Sequence, residues 1–448
     1  MMIHIAEQKV PVLTECDVLV CGGGPAGIAA AVSAARRGCK VVLLERWASV
    51  GGQATNALVN VWHTSDRVRQ VIFGLMQECI ERGGRWVRRW PEFPKHFETH
   101  LFEPEPMKMV FQDLLDGAGV RTLCHLVAGD PIMEGARIRG VVVDTKTGRK
   151  AVLGRMVVDA TGDGDVAAKA GVPFDFGRPG DGRVQGMTMM FRACGVDDAQ
   201  LRNITDGQEQ DIIRQMREIR QHGGFPPYRE EALQFRQWFF NRNVMNMCPV
   251  SGNPLDEEEL TRLTNQARRY PFEYVEFWRK VLPGYANAEV EATGAMLGVR
   301  ESRRIRGLKA IDRQSVVNAV KQEDAIGHGF WPVDIHDPEG SGHTTYTDKN
   351  PRDFPPVGGS YHIPLGICLN DRVANLAVVG RCASSTHEGQ ASLRIQSHCM
   401  IMGQGVGTAA SLALAAGVDL PQVDRGALQR TLVKDGVYLV DIPCPDVR

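Results

Sequence analysis

The chain has almost no net charge. Its 448 residues carry 52 basic and 53 acidic side chains, a formal charge of −1. A basic field for nucleic acid or for an anionic membrane surface is therefore not expected. No apolar run reaches the ~18 residues of a membrane span. The longest candidate, GVGTAASLALAAGVDL, is broken by glycine and reads as a buried helix. The opening MMIHIAEQKVPVLTECDVLV lacks the basic start, apolar core and small-residue cleavage site of a secretory signal. The 11 cysteines form no C-x-x-C pair and match no zinc or iron–sulfur ligand spacing. Such scattered thiols suit a reduced, cytoplasmic chain with neither a disulfide framework nor a structural metal. Tandem repeats and low-complexity tracts are also absent.

What the chain has is glycine in the right places. CDVLVCGGGPAGIAA, residues 16–30, sets Gly22, Gly24 and Gly27 in a G-x-G-x-x-G spacing. DVLVC reads as a strand buried on both faces. PAGIAAAVSAARRG reads as a helix with Pro25 near its first position and Gly38 closing it. KVVLLE follows as a second strand. In that βαβ context Gly22 makes the tight turn and Gly24 lets the backbone approach a pyrophosphate. Gly27 brings the helix close to the strand, and the helix N-terminus offers N–H donors to phosphate. Glu45, 18 residues after Gly27, suits a carboxylate accepting ribose hydroxyls. The spacing alone does not separate NAD from FAD.

Further along, SVGGQATNALVNVW carries a double glycine that permits close backbone approach. Residues 68–83 read as a helix followed by a Trp/Arg-rich connection. From about 119 to 165 the pattern predicts a three-stranded meander feeding a final parallel strand, MVVDATG. Polar helical stretches at 197–222 and 255–280, the piece FRQWFFNRN, and a Gly/Pro/His-rich region at 327–360 suggest a substrate or cap domain. NLAVVG predicts another apolar strand, and IMGQGVGTAASLALAAG a helix opened by a Gly-rich turn. IPCPDVR reads as a surface tail. The division expected is 1–190 and 361–448 for the nucleotide half, with 191–360 between them.

A second fingerprint is missing. Instead, VVDATGDGDVAAKAGVPF, GVRESRRIRG, DIH and NLAVVGRCASSTHEGQASLRIQSHCMIMGQGVGTAA follow the first motif in order. With these five segments the chain resembles the FAD-dependent oxidoreductases, distantly related to fumarate reductase and succinate dehydrogenase flavoproteins. The resemblance covers most of the chain. It implies an α/β fold: a glutathione-reductase-type FAD/NAD(P)-binding, Rossmann-like domain of parallel sheet plus β-meander, with an inserted α+β cap. The cofactor implied is FAD, non-covalent rather than covalent.

By position, the resemblance places Pro25 and Ala26 with the glycine turn, and Ala160, Thr161 and Gly162 against the pyrophosphate and ribose. Val127, in a strand before the meander, would offer backbone groups to adenine, and Arg46 would flank the adenosine. Gly52 and Gln53 would approach the phosphates or the flavin, as would Gly380 and Arg381. Gly403, Gly405 and Val406 would stand at a helix N-terminus facing the flavin pyrimidine edge. There a helix dipole stabilises the negative charge that reduced flavin carries near N1 and O2.

In GVRESRRIRG, Arg300, Arg303 and Arg304 surround Glu301. They form either a solvated ion-pair face or a site where one arginine grips the flavin or an anionic group. Half of the 12 histidines fall in 328–398: His328, His336, His343, His362, His387 and His398. His387 is the expected proton-handling residue, or else it only hydrogen-bonds the flavin or backbone. Arg394, Arg300 and His362 complete the catalytic expectation. Arg394 and His398 would share one face if helical, and Cys382 and Cys399 read as buried small hydrophobes. The activity expected is hydride transfer between flavin N5 and a small organic substrate, with the Arg/His-rich cap favouring a carboxylate. The electron acceptor is unspecified and a homo-oligomer is left open. Two alternatives stand beside it: a flavin monooxygenase, disfavoured because the strand ends GRCASSTHEG rather than in a Gly-Asp turn followed by His and Pro, and an electron-transfer subunit serving a partner.

Overall fold

The computed structural model describes residues 9–65, 74–90, 98–224, 238–239, 242–339, 353–356 and 358–439. Its central strand, β1 (Val12–Cys21), turns Val18 and Val20 into one hydrophobic core and Leu19 and Cys21 into another, all fully buried. Burial on both faces is what a parallel strand with continuous apolar sequence requires. β1 runs parallel to β2 (Val41–Glu45) on one side and to β9 (Gly148–Asp159) on the other. β6 (Arg121–Cys124) extends the sheet in parallel beyond β2. β8 (Arg137–Thr145) and β7 (Ala128–Glu134) extend it in antiparallel beyond β9.

The meander is there, but it feeds no separate strand. β9 is one strand of 12 residues whose first half pairs with β8. Its last three residues, from Val157 to Asp159, pair in parallel with β18 (Leu376–Val378). The expected parallel strand is thus the far end of the meander's own third strand.

One face of the sheet is covered by α1 (Pro25–Ala35), α3 (Pro104–Gly117) and α10 (Gln396–Ala416). α4 (Asp165–Lys169) and the meander cover the other. α10 is long and apolar enough by composition to cross a membrane, yet 78% of its most apolar window is buried inside the protein. Beside α3 lie α2 (Leu75–Gly83) and a small sheet of β3 (Val61–Ser65), β5 (Glu98–Phe102) and β4 (Val87–Arg89). Parts of the expected 68–83 helix and of the Trp/Arg-rich connection lie outside the described residues.

A second core belongs to the cap. β11 (Met187–Cys194) pairs antiparallel with β13 (Arg242–Val250) and β14 (Glu289–Thr293), and β12 (Trp238–Phe239) adds an edge. The 197–222 stretch is two helices, α5 (Asp198–Arg202) and α6 (Asp206–Gln221). Thr205 caps the second in a reciprocal pair with Gln208. α7 (Glu257–Val281) stacks Trp278 on Tyr274 at 5.4 Å between ring centroids, with Phe191 of β11 against both.

The cap core runs from Met187 to Leu297. Ile311, Ala325 and Trp331 join the first core instead. The described residues from about 303 to 335, expected in the cap, therefore pack with the nucleotide half. The reason is β16 (Ala325–Gly329), paired with β17 (Tyr361–Pro364) and laid along α10. The short pair β10 (Phe174–Phe176) and β15 (Arg303–Ile305), with α8 (Arg313–Val317), α9 (His387–Leu393) and α11 (Arg425–Lys434), completes the described strands and α-helices. The C-terminal tail IPCPDVR lies outside the described residues.

Candidate functional site

The glycine turn closes on the end of β9. Gly22 holds φ 110°, and a Cβ there would lie 2.3 Å from the Ala160 carbonyl oxygen. A Cβ on Gly27 would lie 1.9 Å from the Gly22 oxygen, so α1 presses directly on the turn. Gly24 is the exception: a Cβ there meets nothing within 4 Å. It is the N-cap of α1, with no side-chain cap, Pro25 following and no acid in the first turn. Open space therefore stands over a set of backbone donors. Gly52, at φ 51°, walls that space, since its Cβ would come 2.9 Å from the Gly24 Cα. The Gly51 N–H donates to the Gly23 oxygen at 2.7 Å and fixes the two loops together.

Glu45 is buried at the end of β2, and its carboxylate oxygens accept the Gly23 N–H at 2.8 Å and the Trp47 N–H at 2.9 Å. Burial raises its pKa against the pull of those two hydrogen bonds. Each oxygen keeps a second lone pair for a hydroxyl. Val127 does not occupy a strand as expected. It stands in the loop between β6 and β7, with a 56% exposed side chain. Two N–H groups just before it, on His125 and Leu126, are spent on the carbonyls of Trp47 and Glu45, which pulls the chain off the strand.

Past β9, Gly162 takes φ 85°, and its Cβ would meet Arg381 Nη2 at 3.0 Å. Arg381 donates to Asp163 at 2.8 Å and to the Ser302 hydroxyl at 3.1 Å. Burial pushes the Asp163 pKa up, but the charge of Arg381 and the bonds from Ser302 and Arg381 bring it below the usual carboxylate value. Arg46 lies within electrostatic reach of the same carboxylate. Thr161 gives both its N–H and its hydroxyl to Asp159. Gly380, at φ 90°, approaches Ala26: a Cβ there would stand 3.3 Å from the Ala26 Cβ. The structure thus gathers Gly22, Gly24, Pro25, Ala26, Gly27, Gly52, Ala160, Thr161, Gly162, Gly380 and Arg381 around the open first turn of α1. An open helix N-terminus with arginine beside it fits the pyrophosphate of a dinucleotide.

Gly403, Gly405 and Val406 correct the sequence reading. They lie inside α10, not at its N-terminus. A Cβ on Gly403 would fall 2.0 Å from the Ala26 oxygen, one on Gly407 2.2 Å from the Ala30 oxygen, and one on Gly405 2.6 Å from the Ile326 side chain. These glycines let α10 lie against α1 and β16. The helix begins about two turns earlier, at the N-cap Ile395, which supplies no side-chain cap. Beside it the Ser397 hydroxyl and the Arg394 Nε are buried without a hydrogen-bond partner among the described residues. Gln396 ties this end to the Gly52 loop, donating to the Val59 oxygen at 2.6 Å and accepting from Trp62 Nε1 at 2.9 Å. Gln53 lies across from Gly298, whose Cβ would come 3.7 Å from its Oε1. Unmet donors at a helix N-terminus fit the flavin pyrimidine edge.

Around that end sit two polar groups. In the first, His387 at the start of α9 places Nδ1 2.8 and 3.0 Å from the two oxygens of the fully buried Glu301. Arg304 pairs with the same carboxylate, and the Gln185 N–H donates to it at 3.0 Å. In the second, Arg394 donates to the Asp334 carbonyl at 3.0 Å and carboxylate at 3.3 Å, and His336 Nε2 lies 3.6 Å from that carboxylate. Arg300 donates to the Gly186 oxygen at 2.6 Å and to Asn246 at 3.2 Å. Gln390 bridges the groups, donating to the Arg300 oxygen and accepting from Gln185. Burial above all, with Arg300 next, pushes the His336 pKa down to about 3.

Arg394 and His398 do not share a helix face: Arg394 closes α9 and His398 belongs to α10. His362 belongs elsewhere. It sits in β17, accepting the Gln322 N–H at 2.9 Å and meeting His328 edge-on, away from Glu301 and Asp334. Arg303 binds Asp165 at 2.9 Å and lies over the Phe174 ring, so of the three arginines Arg300 reaches the second group and Arg304 the first. His343 lies outside the described residues. Cys382 and Cys399 are buried, and burial drives the Cys399 thiol up to about 12, as small hydrophobes require. Reading the sequence missed Asp334, Gln185, Gln390 and His63, the last stacked on Trp331 at 3.9 Å. Only the DIH triplet carried any signal for them.

A strand–glycine turn–helix cradle, an acid ending β2 and arginine around the turn define a Rossmann-type dinucleotide-binding protein. The chain belongs to the family described as FAD dependent oxidoreductase, which matches residues 17–432. It is similar to digeranylgeranylglycerophospholipid reductase 1 of Methanopyrus kandleri, 32% identical over 157 residues, covering 33% of this chain and 40% of that protein. It is also similar to thiamine thiazole synthase of Methanococcus aeolicus, 28% identical over 167 residues, covering 34% of this chain and 57% of that protein. The chain thus spans about half the length of these curated relatives. Among solved structures, a geranylgeranyl bacteriochlorophyll reductase-like protein from Thermoplasma acidophilum aligns over 94% of this chain and 83% of its own, at 14% identity and a TM-score of 0.46.

Proposed function

We propose that the chain is a dehydrogenase or reductase that holds FAD non-covalently and moves a hydride between a small organic substrate and flavin N5. The observation that carries this reading is the partly buried polar group of Arg300, Asp334, His336 and Arg394, which gathers at the N-terminus of α10. Bound FAD supplies a two-electron acceptor or donor at N5. The chain supplies the proton and the positioning. Glu301 takes the Nδ1–H of His387, which leaves Nε2 with the lone pair that accepts or returns a proton. Arg304 offsets the buried charge of Glu301, so the pair does not stand as an uncompensated anion. Gln185 and Gln390 fix the backbone of Arg300 and the start of the 336 segment.

The test is anaerobic titration of the yellow holoprotein with hydroxy acids, amino acids, saturated carboxylic acids and amines, followed by loss of flavin absorbance. One class is expected to bleach the flavin, and His387→Ala to slow that bleaching by ~100-fold or more. A protein that stays colourless and cannot be reconstituted with FAD sinks the reading. So does NADPH-dependent oxygen incorporation without any substrate-driven bleaching.

A further inference from the structure

We propose that the substrate carries a carboxylate and that Arg394 anchors it, with His336 and Arg300 completing the pocket; this rests on reading the group as the substrate side of the flavin site. Arg394 sits in the joint between α9 and α10, held by both backbones. Its Nη2 is engaged by the Asp334 carbonyl and carboxylate. Its Nε is buried and has no hydrogen-bond partner among the described residues. Leaving a donor of a charged group unmet in the interior is costly, and this Nε–H, beside an Nη2 already given to Asp334, remains for one oxygen of a further anion.

The surroundings point to the same ligand. The Ser397 hydroxyl, fully buried and likewise without a partner among the described residues, stands three residues on in the first turn of α10. That helix end favours negative charge. His336 lies within electrostatic reach of both Arg300 and Arg394. Its ring stays neutral at ordinary pH, so it adds a hydrogen bond and no competing charge. Asp334 is the carboxylate shared by Arg394 and His336. One oxygen of a planar carboxylate is enough to meet the Nε–H. A tetrahedral dianion would crowd Asp334, and a neutral amide would turn an N–H toward the Nε–H.

The experiment uses the yellow holoprotein and three matched pairs: acetate with acetamide, benzoate with benzamide, and succinate with succinamide. Binding is read from flavin difference spectra and calorimetry. At least one carboxylate is expected to bind ten-fold or more tightly than its amide. Arg394→Gln is expected to abolish that preference while FAD content is retained, and Arg394→Lys to keep part of it. If Arg394→Gln does not fold, His336→Gln carries the test, with a loss of preference of three-fold or more expected. Carboxylates and amides that bind alike, no binding by any carboxylate, or a preference that survives these variants overturns the proposal. A yellow protein indifferent to carboxylates overturns only the substrate class, whereas a protein that cannot hold FAD overturns the reading beneath it.

Discussion

Glu45 does two things with one carboxylate: it pins the glycine turn through Gly23 and the following loop through Trp47. Glutamine cannot repeat this, because its amide nitrogen would meet one of those N–H donors. Glu45→Gln is expected to cost about 1–3 kcal/mol of stability, read by chemical denaturation. It should also weaken FAD binding by ten-fold or more, read by recovery of flavin fluorescence on dilution. A variant with wild-type FAD affinity would remove Glu45 from the cofactor site. The residues of this turn were legible in the sequence because they act within one βαβ unit, where spacing alone fixes geometry. Asp334, Gln185 and Gln390 were not, since the contacts of Asp334 with Arg394, Gln390 with Arg300 and Gln185 with Gln390 span 60, 90 and 205 residues of chain.

The pairing of α1 with α10 belongs to the scale of elements. Gly403 and Gly407 lie one turn apart on α10 and accept the carbonyl ridge of Ala26 and Ala30 on α1. The sequence reading took these glycines for a turn because glycine usually breaks helices. Here close approach of two backbones outweighs that propensity. Adding a methyl at Gly407 forces the helices apart. Gly407→Ala is expected to cost about 1–3 kcal/mol, seen as a lower unfolding midpoint together with reduced FAD retention, because α1 carries the cradle. An unchanged midpoint would show that the interface has slack. The meander was read correctly as three strands. Its merger with the parallel strand was not legible, since the partner β18 comes from far along the chain and leaves no local mark on β9.

At the scale of the whole molecule, the nucleotide half and the cap meet through a partly buried ion cluster. Arg192 of β11 lies 3.3 Å from Glu103, the N-cap of α3, and 2.7 Å from Glu291 of β14, which Arg242 also reaches at 3.2 Å. Burial raises the pKa of Glu103, opposed chiefly by Arg192. A carboxylate with a raised folded-state pKa loses stability as pH rises from its unfolded value toward that raised one. Removing Arg192 takes away the main opposing charge and widens this window upward. Arg192→Met is therefore expected to destabilise by about 3–5 kcal/mol at pH 8 and by clearly less at pH 5. Thermal melts at the two values check this, and equal losses at both would contradict it.

β9 and α10 also set a timetable. The edge of β9 near Asp159 waits for β18, and the small-residue face of α1 waits for α10, which is made roughly 370 residues later. Until the ribosome has delivered the last fifth of the chain, the nucleotide half has an open strand edge and an uncovered apolar helix, both adhesive surfaces in a nascent polypeptide. The cap, with its own core between Met187 and Leu297, can form in the interval. The order of synthesis thus places the insert's core residues before the strand and helix that complete its host.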